Sequence, residues 1–188
     1  MSLLNLKFID FLNQMSDPRK QALIKIYNDH INLFHEARGS NVKHQAWAGG
    51  YADHITETFR VNRATYEALS AIRPLPFTQD NAIIALFFHD MEKPFKYGSD
   101  KHEDCQKFQK MHKQGASWKS IKKDILKDMQ LKYNFRFTDD ELNALKYTHG
   151  EGDDYSGEKH TACELAAHVH HCDNTSANIW RNAGKGTS

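Results

Sequence analysis

A run of buried-type residues in this chain ends abruptly in side chains that could do chemistry. Six apolar residues (83–88) are followed at once by His89 and Asp90, and then by Glu92 and Lys93. A neutral imidazole nitrogen and a carboxylate oxygen are suitable ligands for a divalent metal ion. The alternative is a helix that simply ends here, with His89 capping its last carbonyl groups. The local sequence therefore indicates either a metal site or an ordinary helix end.

Two further polar residues are expected to face the protein interior. His54 shares a helical face with Thr58 and Val61, although a lone inward histidine is more often a core residue than a ligand. Asp173 interrupts the apolar stripe of the last predicted helix, with His170 on the same face. Because a buried carboxylate is costly unless it is paired or bound to a metal, Asp173 is expected to have a partner or a metal ion.

The elements that must position these residues all have helical periodicity, and no segment alternates like a strand. The capping box from Thr138 to Glu141 starts one short helix, Thr78 or Asp80 caps the helix of the apolar run, and Pro94 is expected to end it. The other predicted helices cover residues 3–15, 18–37, a segment ending near 71, 99–114, 117–133 and 159–182. The fold class is therefore all-α, and we expect a helical bundle of about seven to nine helices.

The composition restricts the class of protein. A chain of 188 residues is long enough for one proper core, so a single domain over 1–188 is expected. The formal charge of +1 gives no global field that would recruit nucleic acid or a membrane. No apolar segment approaches membrane-spanning length, and three cysteines without a CxxC pattern indicate reduced thiols in a cytoplasmic protein. Twelve histidines are an excess that a metal site would partly explain.

The order of these polar residues resembles that of the HD-domain metal-dependent phosphohydrolases. His-Asp-Met-Glu-Lys-Pro (89–94) is similar to the superfamily's His-Asp-hydrophobic-Gly-Lys-Pro. Gly-Gly-Tyr-Ala-Asp-His-Ile-Thr-Glu-Thr (49–58) resembles its Gly-Gly-Leu-Leu-Glu-His-Thr opening, and His-His-Cys-Asp-Asn-Thr-Ser-Ala (170–177) resembles a His-x-x-Asp-Asn-Leu-Asp-Ala segment of one exonuclease-like branch. The resemblance predicts a single HD domain with a motif-bearing core of about 44–182.

The resemblance implies that one divalent cation is bound by four residues, which are His54, His89, Asp90 and Asp173. Two imidazoles and two carboxylates suit Mn²⁺, Zn²⁺, Fe²⁺, Co²⁺ or Ni²⁺ better than Ca²⁺. Such an ion would acidify a water molecule and neutralise charge on a phosphoryl oxygen.

Three neighbouring residues receive possible catalytic roles. Lys93 matches the family lysine and is expected to offset charge on a phosphate, whereas Glu92 replaces the usual glycine and could orient or deprotonate the water. His149 is expected to lie in the pocket as a substrate contact or general acid. The alternative is that His149 binds a second metal together with His168 or His170.

The favoured function is hydrolysis of a phosphate ester or anhydride of a small-molecule nucleotide, with a nucleoside mono- or triphosphate preferred. The lysine-rich region 101–132 keeps a nuclease or a cyclic-nucleotide phosphodiesterase as an alternative, so nucleic acid is not excluded as a partner. A second metal would instead allow a dinuclear-iron HD oxygenase. A non-catalytic metal- or nucleotide-binding module is the remaining class, and the sequence does not indicate the oligomeric state.

Overall fold

The protein is all-helical in the computed structural model, which describes residues 2–156 and 159–181. Its α-helices are α1 (Phe8–Gln14), α2 (Lys20–Asp29), α3 (Ile31–Glu36), α4 (Gly50–Ile72), α5 (Gln79–Phe88), α6 (Glu92–Tyr97), α7 (Glu103–Lys113), α8 (Trp118–Lys132), α9 (Asp139–Tyr147) and α10 (Glu164–Asn178). Because His30 alone separates α2 from α3, these two count as one interrupted helix, and the described residues then contain nine helices. The predicted all-α class and helix number are confirmed.

Helix starts follow the capping signals of the sequence. The Thr138 hydroxyl accepts the Glu141 N–H at 3.2 Å, and the Glu141 carboxylate accepts the Thr138 N–H at 2.9 Å. Thr78 and Asn81 form the same reciprocal pair at the start of α5. Each pair satisfies two backbone donors that a helix N-terminus leaves open. These caps fix where α5 and α9 begin, and therefore where the residues at their far ends lie.

The prediction that Pro94 ends the apolar helix is wrong. Helix α5 already ends at Phe88, and Pro94 is the third residue of the short helix α6. Proline is tolerated in a first turn because the N–H that it lacks would have no acceptor within the helix. His89 and Asp90 consequently lie in a tight turn between two helices.

Two terminal elements differ from their predicted lengths. The helix predicted over 3–15 is a 3₁₀ turn, Leu3–Asn5, followed by α1. The last helix begins at Glu164 and not at residue 159, because the Glu151 carboxylate accepts the N–H groups of Thr161 and Ala162 and holds them outside the helix. That helix ends at Asn178, before its predicted end at position 182, which itself lies outside the described residues.

The contacts of the chain define two compact units, and each is made of separate chain segments. The first comprises Ile55–His89, Phe137–Trp180 and the N-terminal segment as far as Asp17. In it α5 and α10 pack against each other and against α9. The Phe8 ring lies 5.3 Å from that of Phe59 and 5.7 Å from that of Phe87, so aromatic packing holds the N-terminal segment against α4 and α5.

The second unit comprises Pro18–His54 and Asp90–Arg136, together with Arg181. Helix α6 packs against α3, α7 and α8, and the Phe95 ring lies 5.2 Å from that of Phe108. The organisation of the whole chain as a single HD domain stays a prediction. None of the helices in the described ranges combines the length with the apolar character that crossing a bilayer requires.

Candidate metal centre

His54 and Asp90 form the first pair of candidate ligands. His54 lies one turn into α4 with its side chain fully buried, and Asp90 follows α5 with a side chain that is 2% exposed. The His54 Nε2 atom lies 3.5 Å from Asp90 Oδ2. The Lys93 ammonium, one turn along the chain, contacts the same oxygen. The positive charge of Lys93 beside Asp90 offsets part of the cost of burying this carboxylate.

His89 and Asp173 form the second pair. The His89 Nδ1–H donates to the Leu86 carbonyl at 2.7 Å, since a carbonyl can only accept. The neutral ring therefore keeps its lone pair on Nε2, which lies 3.4 Å from Asp173 Oδ1. A backbone carbonyl that fixes the tautomer of a histidine in this way is the usual arrangement behind a metal-binding imidazole.

The two pairs together supply a complete donor set. One ligand atom from each of the four residues lies within 4.8 Å of every other, and all four side chains are buried: His54, His89, Asp90 and Asp173. Ligands on opposite sides of one ion, with bonds of about 2.0–2.2 Å, are separated by at most about 4.4 Å. Movements of a few tenths of an ångström would therefore close the set around an ion. This group could hold a metal ion, and its nitrogen and oxygen donors fit a divalent transition metal.

Glu92 lies on the helix that follows the ligand turn. Its Oε2 atom is buried and has no hydrogen-bond partner among the described residues. Burial raises the pKa of this carboxyl group, and the negative charge of Asp90 raises it further, while Lys122 and Lys93 oppose the shift. An unsatisfied buried carboxyl group is costly and is typical of functional sites.

His149 lies beside the cluster but outside the four-residue set. Its side chain is 63% exposed, and its Nε2 atom lies 3.6 Å from Asp173 Oδ2. The His170 Nδ1–H donates to the carbonyl of Thr148 at 2.5 Å, which positions the residue directly before His149. The position of His149 suits a residue that meets a ligand at the mouth of the site.

His168, the other histidine considered for a second metal, has a different role. It is buried in α10, and its Nε2–H donates to Asn62 Oδ1 at 2.9 Å. Burial lowers its pKa to about 4, so the ring is neutral at physiological pH. His168 is therefore a satisfied core residue of the first unit.

Two residues near Asp90 were not recognised from the sequence. Tyr51 is fully buried, its hydroxyl has no hydrogen-bond partner among the described residues, and burial followed by the charges of Asp90 and Glu92 raises its pKa. Its position three residues before His54, on the same helical face, was the available signal. The ring of His44 lies 4.9 Å from that of His54, and burial lowers the pKa of His44 to about 4. No periodic pattern indicated His44, because it precedes α4.

Comparison with known proteins found no relative of this chain. Neither the family models, nor the curated proteins, nor the solved structures include a match to this chain.

Proposed function

We propose that this protein is a metal-dependent phosphohydrolase of the HD type, which hydrolyses a phosphate ester or anhydride of a nucleotide. The observation that carries the proposal is the buried group of two histidines and two aspartates with ligand atoms within 4.8 Å of one another. Those residues are the ones that the HD-like motifs select, in the order that the motifs require. Nucleoside mono- and triphosphates are the first substrates to test.

The proposed cofactor is one divalent transition metal ion, with Mn²⁺, Zn²⁺, Fe²⁺, Co²⁺ and Ni²⁺ as candidates. An ion held by the four residues would supply positive charge that polarises a phosphoryl oxygen and makes a nearby water molecule more acidic. The His89 tautomer, fixed by the Leu86 carbonyl, keeps Nε2 ready to bind without a prior proton transfer.

The chain's own residues would carry the remaining steps. Lys93, held at Asp90, is placed to balance the charge of a phosphate group next to the ligand carboxylates. Glu92 would orient the attacking water and accept its proton, because its buried Oε2 has no hydrogen-bond partner among the described residues. His149, exposed beside Asp173, would contact the substrate or protonate the leaving group.

The proposed location is the cytoplasm. Cys105, Cys163 and Cys172 are free thiols, and two of them are buried. Unpaired cysteines are usual in proteins of reducing compartments.

Metal analysis combined with a substrate screen tests the proposal. The purified protein is analysed for bound metal and then assayed, with each candidate ion, on nucleoside mono- and triphosphates, cyclic nucleotides and short single-stranded oligonucleotides. We expect one metal per chain and release of phosphate or of a nucleotide. Asp90→Ala and His89→Ala should abolish both metal binding and turnover, whereas Asp124→Ala on the exposed surface of α8 serves as the control.

Other outcomes identify the alternatives. Cleavage of cyclic nucleotides or oligonucleotides alone would identify a phosphodiesterase or nuclease. Two irons per chain with substrate-dependent oxygen consumption would identify an oxygenase. Full metal occupancy without turnover on any substrate would indicate a binding module, and wild-type turnover in Asp90→Ala would refute the assignment of the site.

A further inference from the structure

The near-zero net charge of the chain hides an uneven distribution. The described residues of the second unit include 18 lysines and arginines against 10 aspartates and glutamates, which leaves +8. The described residues of the first unit include 6 lysines and arginines against 13 aspartates and glutamates, which leaves −7. The total of +1 therefore does not describe the electrostatic field around the second unit, where an anionic ligand would be attracted.

The positive charge is concentrated on one pair of packed helices, α7 and α8. We define the lysine face as the lysines at the end of α7 and in the first two turns of α8: Lys110, Lys113, Lys119, Lys122 and Lys123. Residues three or four apart on a helix lie about 5–6 Å from one another, so each helix presents its lysines as a row. The four-residue connection between the helices brings the two rows to the same end of the pair.

Four of the five lysines of the lysine face have no counter-charge within the described part of the chain. These four are exposed and form no ion pair in the described ranges: Lys110, Lys113, Lys119 and Lys123. Lys107 contrasts with them, because its ammonium is paired with Asp128. An exposed group of like charges without counter-charges is unfavourable by itself, and it becomes favourable when a polyanion is bound.

An aromatic side chain lies among these charges. Trp118 starts α8 and is half-buried, with the His112 ring 5.1 Å from its own and the Lys96 ammonium 5.7 Å from its ring centre. Aromatic rings within a basic surface provide stacking platforms for unpaired bases. This combination of phosphate contacts and a stacking surface is typical of single-strand binding.

The lysine face reaches the candidate metal centre through α6. Helix α6 begins with Glu92 and packs against both α7 and α8. Glu92 in turn follows Asp90 by two residues. A strand bound along the lysine face would therefore approach the residues that the proposed function assigns to catalysis.

We infer that the lysine face binds the sugar-phosphate backbone of single-stranded nucleic acid. This binding goes beyond the proposed phosphohydrolase function and does not rest on it. Lysine ammonium groups contact phosphates as point charges and lack the fork that reads guanine edges, so the binding is independent of base sequence.

An anionic membrane is a poorer partner for this surface. Peripheral membrane binding needs apolar side chains that enter the lipid next to the basic residues. The large apolar residues that are well exposed in the described ranges all lie elsewhere, and the nearest along the chain is Leu131, beyond the lysine face.

Binding of a labelled oligonucleotide tests the inference directly. The probe is a fluorescein-labelled 20-nucleotide oligothymidylate, and anisotropy is measured in EDTA so that hydrolysis cannot interfere. The test variant is K110Q/K113Q/K119Q/K123Q. The matched control is K7Q/K43Q/R73Q/K159Q, which removes the same charge from exposed positions outside the lysine face.

We expect the test variant to bind about 10²-fold more weakly than the wild type at 50 mM NaCl, and the control to stay within about threefold. The slope of log K against log salt should become less negative by about 0.7 for each lysine removed. Trp118→Ala should weaken binding roughly 5–100-fold through loss of base stacking, with little change in that slope.

Several results would overturn the inference. Equal binding by the two variants, or no saturable binding by the wild type at 50 mM NaCl, would do so. Loss of self-association in the test variant, measured by light scattering, with oligonucleotide binding unchanged would assign the lysine face to contacts with the acidic unit of a second copy. Binding to phosphatidylserine vesicles that oligothymidylate does not displace would assign it to a membrane.

The two proposals fail separately. A protein that binds the oligonucleotide in EDTA but hydrolyses no phosphate compound with any metal retains the lysine-face assignment and loses the phosphohydrolase function. A protein that hydrolyses nucleotides but binds oligothymidylate equally well in both variants retains the function and loses the lysine-face assignment.

Discussion

Asp173→Asn should have opposite effects on the metal-free and metal-loaded protein. The oxygens of Asp90 and Asp173 that belong to the ligand group lie within 4.8 Å of each other. Two unit charges at that distance repel by about 3.5 kcal/mol at an effective dielectric constant of about 20. The Lys93 ammonium at Asp90 cancels part of this repulsion. We therefore expect the asparagine variant to gain about 1–2 kcal/mol in the free energy of unfolding when no metal is present.

Added metal should make the wild type more stable than the Asp173→Asn variant. An ion at 100 times its dissociation constant adds about 2.7 kcal/mol to the stability of the protein that binds it. For a chain of 188 residues this corresponds to a rise in melting temperature of about 5–11 °C. The variant lacks one charged ligand, so its melting temperature should hardly respond.

Thermal unfolding followed by circular dichroism, in EDTA and with increasing Mn²⁺ or Zn²⁺, measures both effects. Asp124→Asn on the exposed surface of α8 is the control, and it should follow the wild type in both conditions. A metal-induced rise of equal size in wild type and Asp173→Asn would show that Asp173 is not a ligand. If Asp173→Asn is less stable than the wild type in EDTA, the Asp173 carboxylate makes favourable interactions within the metal-free protein, and the expected repulsion from Asp90 does not dominate.

Three further predictions concern the surroundings of the site. His149→Ala should keep one metal per chain, by metal analysis, while turnover falls about 10²–10⁴-fold if His149 is a general acid; a fall from two metals to one would instead make it a second-metal ligand. Gly50→Ala should weaken metal binding and lower the melting temperature, because the added Cβ would lie 1.9 Å from the Gln45 carbonyl oxygen and displace the start of α4 that carries His54. Gly115→Ala is the control: its φ of +103° strains the alanine and lowers the melting temperature, but its Cβ meets no atom within 4 Å, so the metal affinity should stay unchanged. Burial lowers the pKa of His168 to about 4 in the folded protein, so the unfolded chain binds a proton more readily and stability should fall as pH decreases from about 6.5 toward 4. Between pH 7 and 5 the expected loss in the free energy of unfolding is about 1–2 kcal/mol. In denaturant titrations, His168→Gln should remove that part of the pH dependence.

Much of the fold was predictable because its signals are local. The capping boxes at Thr78 and Thr138 can be recognised from four consecutive residues each. The apolar periodicity of a helix can be recognised from two or three turns. The candidate ligands were also predictable, since each interrupts an apolar segment of its own helix or follows one directly. Residue type and spacing left each of these residues with a structural alternative, and the resemblance to the HD-domain motifs selected the set of His54, His89, Asp90 and Asp173.

The role of Pro94 was not predictable in the same way. A proline after an apolar helix is compatible with the end of that helix or with the first turn of the next one, because the missing N–H costs nothing in either position. The packing of α6 against α3, α7 and α8 decided between the two.

The sequence by itself determined the helical class, the helix caps and the identity of the donor atoms, because these depend on near neighbours along the chain. Tertiary structure decided the carbonyl that fixes the His89 tautomer, the place of Tyr51 and His44 beside the ligands, and the segregation of charge into a basic and an acidic unit. Side-chain direction and proximity between distant segments depend on long-range packing. Net charge and local periodicity do not indicate which distant segments pack against each other.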